Sequence, residues 1–166
     1  PPTSGWSDND LGSSFAVSNT TEKTGVAGAY SSVYNKLAVV FVNGKTVNCA
    51  NIAFTRDASN NITGYTPSSI LSIDLSTATG GDSAVDAAYN PSVWMLQGDG
   101  EVIVVVAGNS TAGAKTGIVF GFRCLYAGNP PTWRNAAGSY NNLDQISSDY
   151  TTNHTTHYPT IVQRTN

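Results

Sequence analysis

Three runs constrain this chain more than anything else in it: residues 37–42 (LAVVFV), 102–106 (VIVVV) and 118–122 (IVFGF). Val and Ile branch at Cβ, which restricts them in a helix and suits them to a pleated strand. No apolar pattern of period 3.6 persists, and Ser, Thr, Gly and Asn fill the stretches where a helix could lie. The expectation is an all-β chain. Around these runs only 11% of residues are charged, against roughly 25% in an average soluble domain. Ser, Thr and Asn supply 53 of the 166 residues. A neutral skin of hydroxyls and amides over Val, Ile and Phe strands is the make-up of an exported β-sandwich. The compartment implied is extracellular or the cell surface.

Local patterns place the strands. Asn43-Gly44 lies between two β-type runs, 37–42 and 45–54, and both turn positions tolerate positive φ. That is the clearest hairpin in the chain, and its strands are apolar on both faces, as strands under cover are. Residues 70–75 alternate, with Leu71, Ile73 and Leu75 on one side. A second hairpin joins 92–96 to 101–107 across residues 97–100. Residues 116–126 put Ile118, Phe120, Phe122, Cys124 and Tyr126 on one face. A short strand is expected near 30–33 and another near 157–163. Residues 127–156 read as one long polar loop dotted with aromatics. Seven to nine short strands divided by turn signals predict an antiparallel β-sandwich of Ig-like or jelly-roll-like type.

A chain of 166 residues fits one domain, which buries roughly 70% of its unfolded surface. Residues 1–19 read as an N-terminal extension and 20–166 as the sandwich. The start at Pro1-Pro2 suggests a mature or trimmed product. Eight basic residues are scattered singly, so no nucleic-acid partner is expected. No apolar stretch reaches the roughly 18 residues of a membrane span. Cys49 and Cys124 each sit in a strand-like run. A disulfide tying two distant strands fits an oxidising compartment; two buried reduced thiols are the alternative.

The chemistry of catalysis is thinly represented. His154 and His157 are the two candidate bases, and H-x-x-H places no third metal ligand. Asp8-Asn9-Asp10 resembles the start of a calcium loop but lacks its closing glutamate. Asp82 with Asp86, or Asp144 with Asp149, could pair as carboxylates, yet nothing makes them converge across a cleft. No enzyme activity, cofactor or metal is expected. Trp133, Tyr140 and Tyr150 could stack on the apolar faces of sugars, or could anchor the long loop on the sandwich. Four Asn-x-Ser/Thr sequons, at Asn19, Asn61, Asn109 and Asn153, are candidate glycosylation sites; a composition this rich in Asn, Ser and Thr supplies about that many by chance.

The N-terminus carries one more pattern. Leu11, Ser13, Phe15 and Val17 fall on one side of a potential strand over residues 11–18, and residues 19–28 form a loop long enough to let it leave its own domain. A strand from one copy can complete the sandwich of another, and head-to-tail repetition builds an open filament. In its low-charge surface, length, single cysteine pair, all-β body and alternating N-terminal segment, the chain resembles pilins that polymerise by donor-strand exchange. The resemblance implies a homopolymeric, pilus-like extracellular filament whose donor side chains are Leu11, Ser13, Phe15 and Val17. Two features depart from chaperone–usher pilins: the cysteines are far apart, and the chain ends Val162-Gln163-Arg164-Thr165-Asn166. The competing expectation is a secreted carbohydrate-binding module or adhesin that contacts glycans.

Overall fold

The computed structural model describes residues 25–96, 100–109, 118–147 and 161. The described residues form ten strands: β1 (Val26–Ser31), β2 (Lys36–Asn43), β3 (Thr46–Arg56), β4 (Ile62–Pro67), β5 (Leu71–Asp74), β6 (Ala87–Leu96), β7 (Glu101–Asn109), β8 (Ile118–Leu125), β9 (Thr132–Arg134) and β10 (Asp144–Ser147). No helix occurs among them. Both sheets are antiparallel, and they pack as the expected β-sandwich.

The two sheets share one strand plan. In the first, β1, β2 and β3 run side by side, and the free edge of β3 holds β5 along its first half and β4 along its second. In the second, β6, β7 and β8 run side by side, and the free edge of β8 holds β10 along its first half and β9 along its last residues. Strands β1 to β5 thus make one sheet and β6 to β10 the other. Between β5 and β6 the chain crosses from sheet to sheet over residues 75–86.

Alternation fills the space between the sheets. Ala38, Val40 and Val42 on β2 and Val47 and Cys49 on β3 point inward from the first sheet. Val102, Val104 and Val106 on β7 meet Ile118, Phe120, Phe122 and Cys124 on β8 from the second. All are buried. Successive Cβ atoms of a strand point to opposite faces, so a run of Val and Ile fills the core from every second position. The outward residues Asn48, Ala50 and Ile52 of β3 are buried as well. Ala50 and Ile52 lie between Val39 and Leu37 of β2, with Pro67 of β4 beyond Ile52. A central strand flanked by larger side chains is shielded from both sides, as the two apolar faces of this hairpin suggested.

Backbone and amide contacts close the two ends. Gly44 makes the β2–β3 turn at positive φ, and its carbonyl accepts a 2.7 Å hydrogen bond from the Ala88 N–H at the start of β6. At the opposite end, Asn51 is buried and its Nδ2 donates to the carbonyls of Tyr126 (2.8 Å) and Gly128 (3.0 Å). That amide ties the central strand of one sheet to the end of the central strand of the other. The crossing loop is held by glycine. A Cβ on Gly81 would run into the Leu75 carbonyl, and one on Gly80 (φ 79°) into the Leu143 carbonyl. Leu143 N–H donates to the Thr79 carbonyl at 2.8 Å, fastening this loop to the approach of β10.

Several elements differ from expectation for identifiable reasons. β6 begins at Ala87, not near 92. Asn90 (φ 48°) and Pro91 form a bulge between Tyr89 and Ser92, and an edge strand tolerates proline there because it pairs on one side. β4 was not anticipated: ITGYTP is largely exposed and shows no apolar alternation. The loop predicted over 127–156 contains β9 and β10, which are three and four residues long. The strand expected near 157–163 lies outside the described residues.

Two outcomes test this account. Phe120→Ala removes a fully buried ring and should cost about 3–5 kcal/mol in urea denaturation. Asp74 should make stability pH-dependent. Burial pushes its pKa up, but hydrogen bonds from the Ser76 hydroxyl (2.6 Å) and N–H (2.8 Å), with the Lys45 ammonium at 3.4 Å, outweigh that and hold it below the ordinary value. A lowered folded pKa stabilises above the unfolded value of about 3.9 and is lost as pH falls through the folded one. Asp74→Asn should flatten that acid limb of the stability curve.

Candidate functional site

The outer face of the second sheet carries a groove. Every second residue of β6, β7, β8 and β9 points away from the core, and register aligns them in rows. Trp94, Ile103, Arg123 and Arg134 form one row across four strands. Ser92, Val105 and Gly121 form the next, and Asp144 of β10 pairs with Gly121. Ile103, Val105, Gly121, Ala136 and Ile146 line an apolar cavity of about 300 Å³, with Arg123 and Asp144 at its margin. Ile146 packs directly over Gly121, where a Cβ would stand 2.6 Å from its Cδ1 and push that side chain aside. Ile146 therefore lies across the sheet surface while remaining 60% exposed.

An ion cluster borders the groove. Glu101 points to the same outer face, yet it is only 2% exposed. Its carboxylate meets Arg123 at 3.6 Å and forms a closer pair with Arg134. Glu101 Oε2 and Arg134 Nε are buried without a hydrogen-bond partner. One carboxylate between two guanidiniums leaves a positive surplus at this end. Asp144, which accepts a hydrogen bond from the Ala136 N–H, places a negative charge across the cavity.

The exposed edges are notably uncharged. β1 (VAGAYS) and β4 (ITGYTP) contain no Lys, Arg, Asp or Glu. Val26 is 72% exposed and Ile62 53%. Edge strands usually carry charge or are covered, because unpaired N–H and C=O groups template further pairing. β4 ends in Pro67, and β10 is cut short by a register shift between Gln145 and Ser147. β1 lies close against β6 of the other sheet, where a Cβ on Gly25 would meet Pro91 Cδ at 2.8 Å.

Each residue singled out from the sequence has a definite place. Leu11, Ser13, Phe15, Val17, Asn19, Tyr150, Asn153, His154 and His157 lie outside the described residues. Trp133 does not offer a stacking surface: it is 7% exposed and packs edge-on against Phe122 at 5.9 Å. Alternation turns it inward beside Cys124. Tyr140 is exposed. Asn61 stands at the end of an exposed turn, where its Nδ2 donates to Asp57 Oδ2 at 3.0 Å. Asn109 is the half-buried last residue of β7. Cys49 and Cys124 come together across the core, as expected, but they are two free buried thiols and not a disulfide. The mutual hydrogen bond and burial push the Cys49 pKa well up. Among the described residues no three His, Cys, Asp or Glu side chains cluster to hold a metal, and no helix is long and apolar enough to cross a membrane.

No protein-family model, no curated protein and no solved structure matches this chain. The groove is not legible in any local stretch of residues. Its lining comes from β7, β8 and β10 with Ala136 of the turn after β9, and the one local hint is the glycine interrupting the IVFGF run. Glu101 was visible only as a residue beside a turn. Glu101→Ala should cost roughly 1–3 kcal/mol, because it strands charged donors that are only partly solvated. Thermal unfolding of the variant, compared with Arg123→Ala, tests whether the carboxylate holds this margin together.

Proposed function

We propose that this protein is a non-enzymatic structural subunit of an extracellular, pilus-like filament, and that residues 11–18 of one copy dock on the next. The apolar groove on the outer face of the second sheet is the observation that carries the proposal. Its lining of Ile103, Val105 and Ile146 suits the apolar side of the N-terminal segment, where Leu11, Phe15 and Val17 alternate with small or polar residues. A cavity of about 300 Å³ has room for a large apolar side chain. Charge supports the same occupant. Asp8 and Asp10 stand just ahead of Leu11, and Arg123 and Arg134 stand at the margin of the groove.

Contact between an N-terminal segment and a sheet face elsewhere on the next molecule is heterologous, so it propagates into a fibre and needs no other partner. An oxidising compartment would allow the two facing thiols to pair, and glycans are best placed at the exposed Asn61. The competing carbohydrate-binding role draws less support, since Trp133 is committed to the core and Tyr140 is left without it.

Negative-stain microscopy of the whole chain should show filaments. Replacing Phe15 and Val17 together by Asp should leave monomers with an unchanged circular dichroism spectrum. Ile146→Asp should do the same from the receiving side. A chain that stays monomeric at high concentration would end the filament proposal. Filaments that persist in Ile146→Asp but vanish in the Phe15/Val17 variant would move the docking site elsewhere.

A further inference from the structure

Cys49 sits on β3 and Cys124 on β8, the two strands that hold three partners each. Their register neighbours are apolar: Val40 and Leu71 beside Cys49, Val102 and Trp133 beside Cys124. The two residues are 1% and 2% exposed. Both belong to the one buried cluster between the sheets, and the neighbouring Cys124 thiol is the first of the causes that raise the Cys49 pKa. Nothing in the filament proposal uses this pair. A covalent bond here would join the central strand of one sheet directly to the central strand of the other.

We propose that Cys49 and Cys124 are cross-linked by exchange with a small-molecule or oxidoreductase disulfide before the two sheets close, and that closure then seals the bond. The cross-link depends on the oxidising compartment inferred above and not on polymerisation. One cysteine thiolate attacks the external disulfide, forming a mixed disulfide and expelling one thiolate. The second cysteine attacks the protein-side sulfur and expels the other. Two protein thiols and one external disulfide become one protein disulfide and two external thiols, so electrons and protons balance.

The order follows from access. Exchange needs a thiolate and an in-line approach to sulfur. In the folded protein neither sulfur can be approached, and the raised pKa of Cys49 keeps it protonated. In the unfolded chain both thiols are solvated and ordinary. Once formed, the bond is shielded from reductants by the same walls.

The test compares two routes on the full chain. Reduced protein is refolded from denaturant with oxidised glutathione, and folded reduced protein is incubated with the same reagent. Intact mass and peptide mapping follow the reaction, with Cys49→Ala as the uncross-linked control. The refolded chain should be lighter by two hydrogens and yield a joined Cys49–Cys124 peptide. The folded protein should react roughly 10³-fold more slowly or worse, in line with the small fraction of time a domain spends open. Absence of the joined peptide after refolding would overturn the bond. Equal rates by the two routes would overturn the order of events. A cross-linked chain that never forms filaments would leave this inference standing and end the filament proposal alone.

Discussion

The fold depends on the meeting of two central strands. β3 and β8 each organise a sheet by holding partners on both sides, and their inward residues fill the space between the sheets. Val47 and Cys49 from one side, with Phe120, Phe122 and Cys124 from the other, belong to one continuous apolar cluster. Burial of such side chains is worth roughly 1.5–3 kcal/mol each. The lateral strands are positioned by that contact more than by their own sequences. β4 is mostly exposed, and β9 is only three residues long.

Polar groups inside this frame fix geometry at a few points. Asn51 uses both Nδ2 hydrogens on carbonyls of the Tyr126–Gly128 turn, so the two sheets cannot slide without stranding a buried amide. Asn35, at positive φ, donates to the Phe54 carbonyl and accepts from Tyr30 and Arg56, bracing the far end of the first sheet. Glu101 holds two arginines on the second. Among the described residues, Glu101, Arg123, Arg134 and Asp144 gather around the groove, and Asp57 and Asp74 stand at turns. Long stretches of edge and face are left neutral, which makes this surface suited to association with other β surfaces.

The same economy connects the fold to the proposed role. A sandwich stiffened by its core can present an apolar groove without collapsing around it. Gly121 and Ile146 shape that face, and the ion cluster marks one end. Cys124 lies on the opposite side of the same strand β8, facing inward to the core that it shares with Cys49 of β3. Any load borne by the groove would pass through the strand that the proposed cross-link anchors.

Residue pattern alone was enough for the all-β class, the β2–β3 hairpin and the inward faces of β5 and β8. Those features rest on alternation and on Asn-Gly turn chemistry, which are local and survive without knowledge of neighbours. Packing was needed to show that β4, β9 and β10 are strands, that Pro91 sits inside one, that Trp133 is core, and that an apolar groove crosses the second sheet. Short edge strands form because a long central strand offers them hydrogen bonds. A groove forms because register lines up residues far apart in the chain. Neither cause is written in any single stretch of residues.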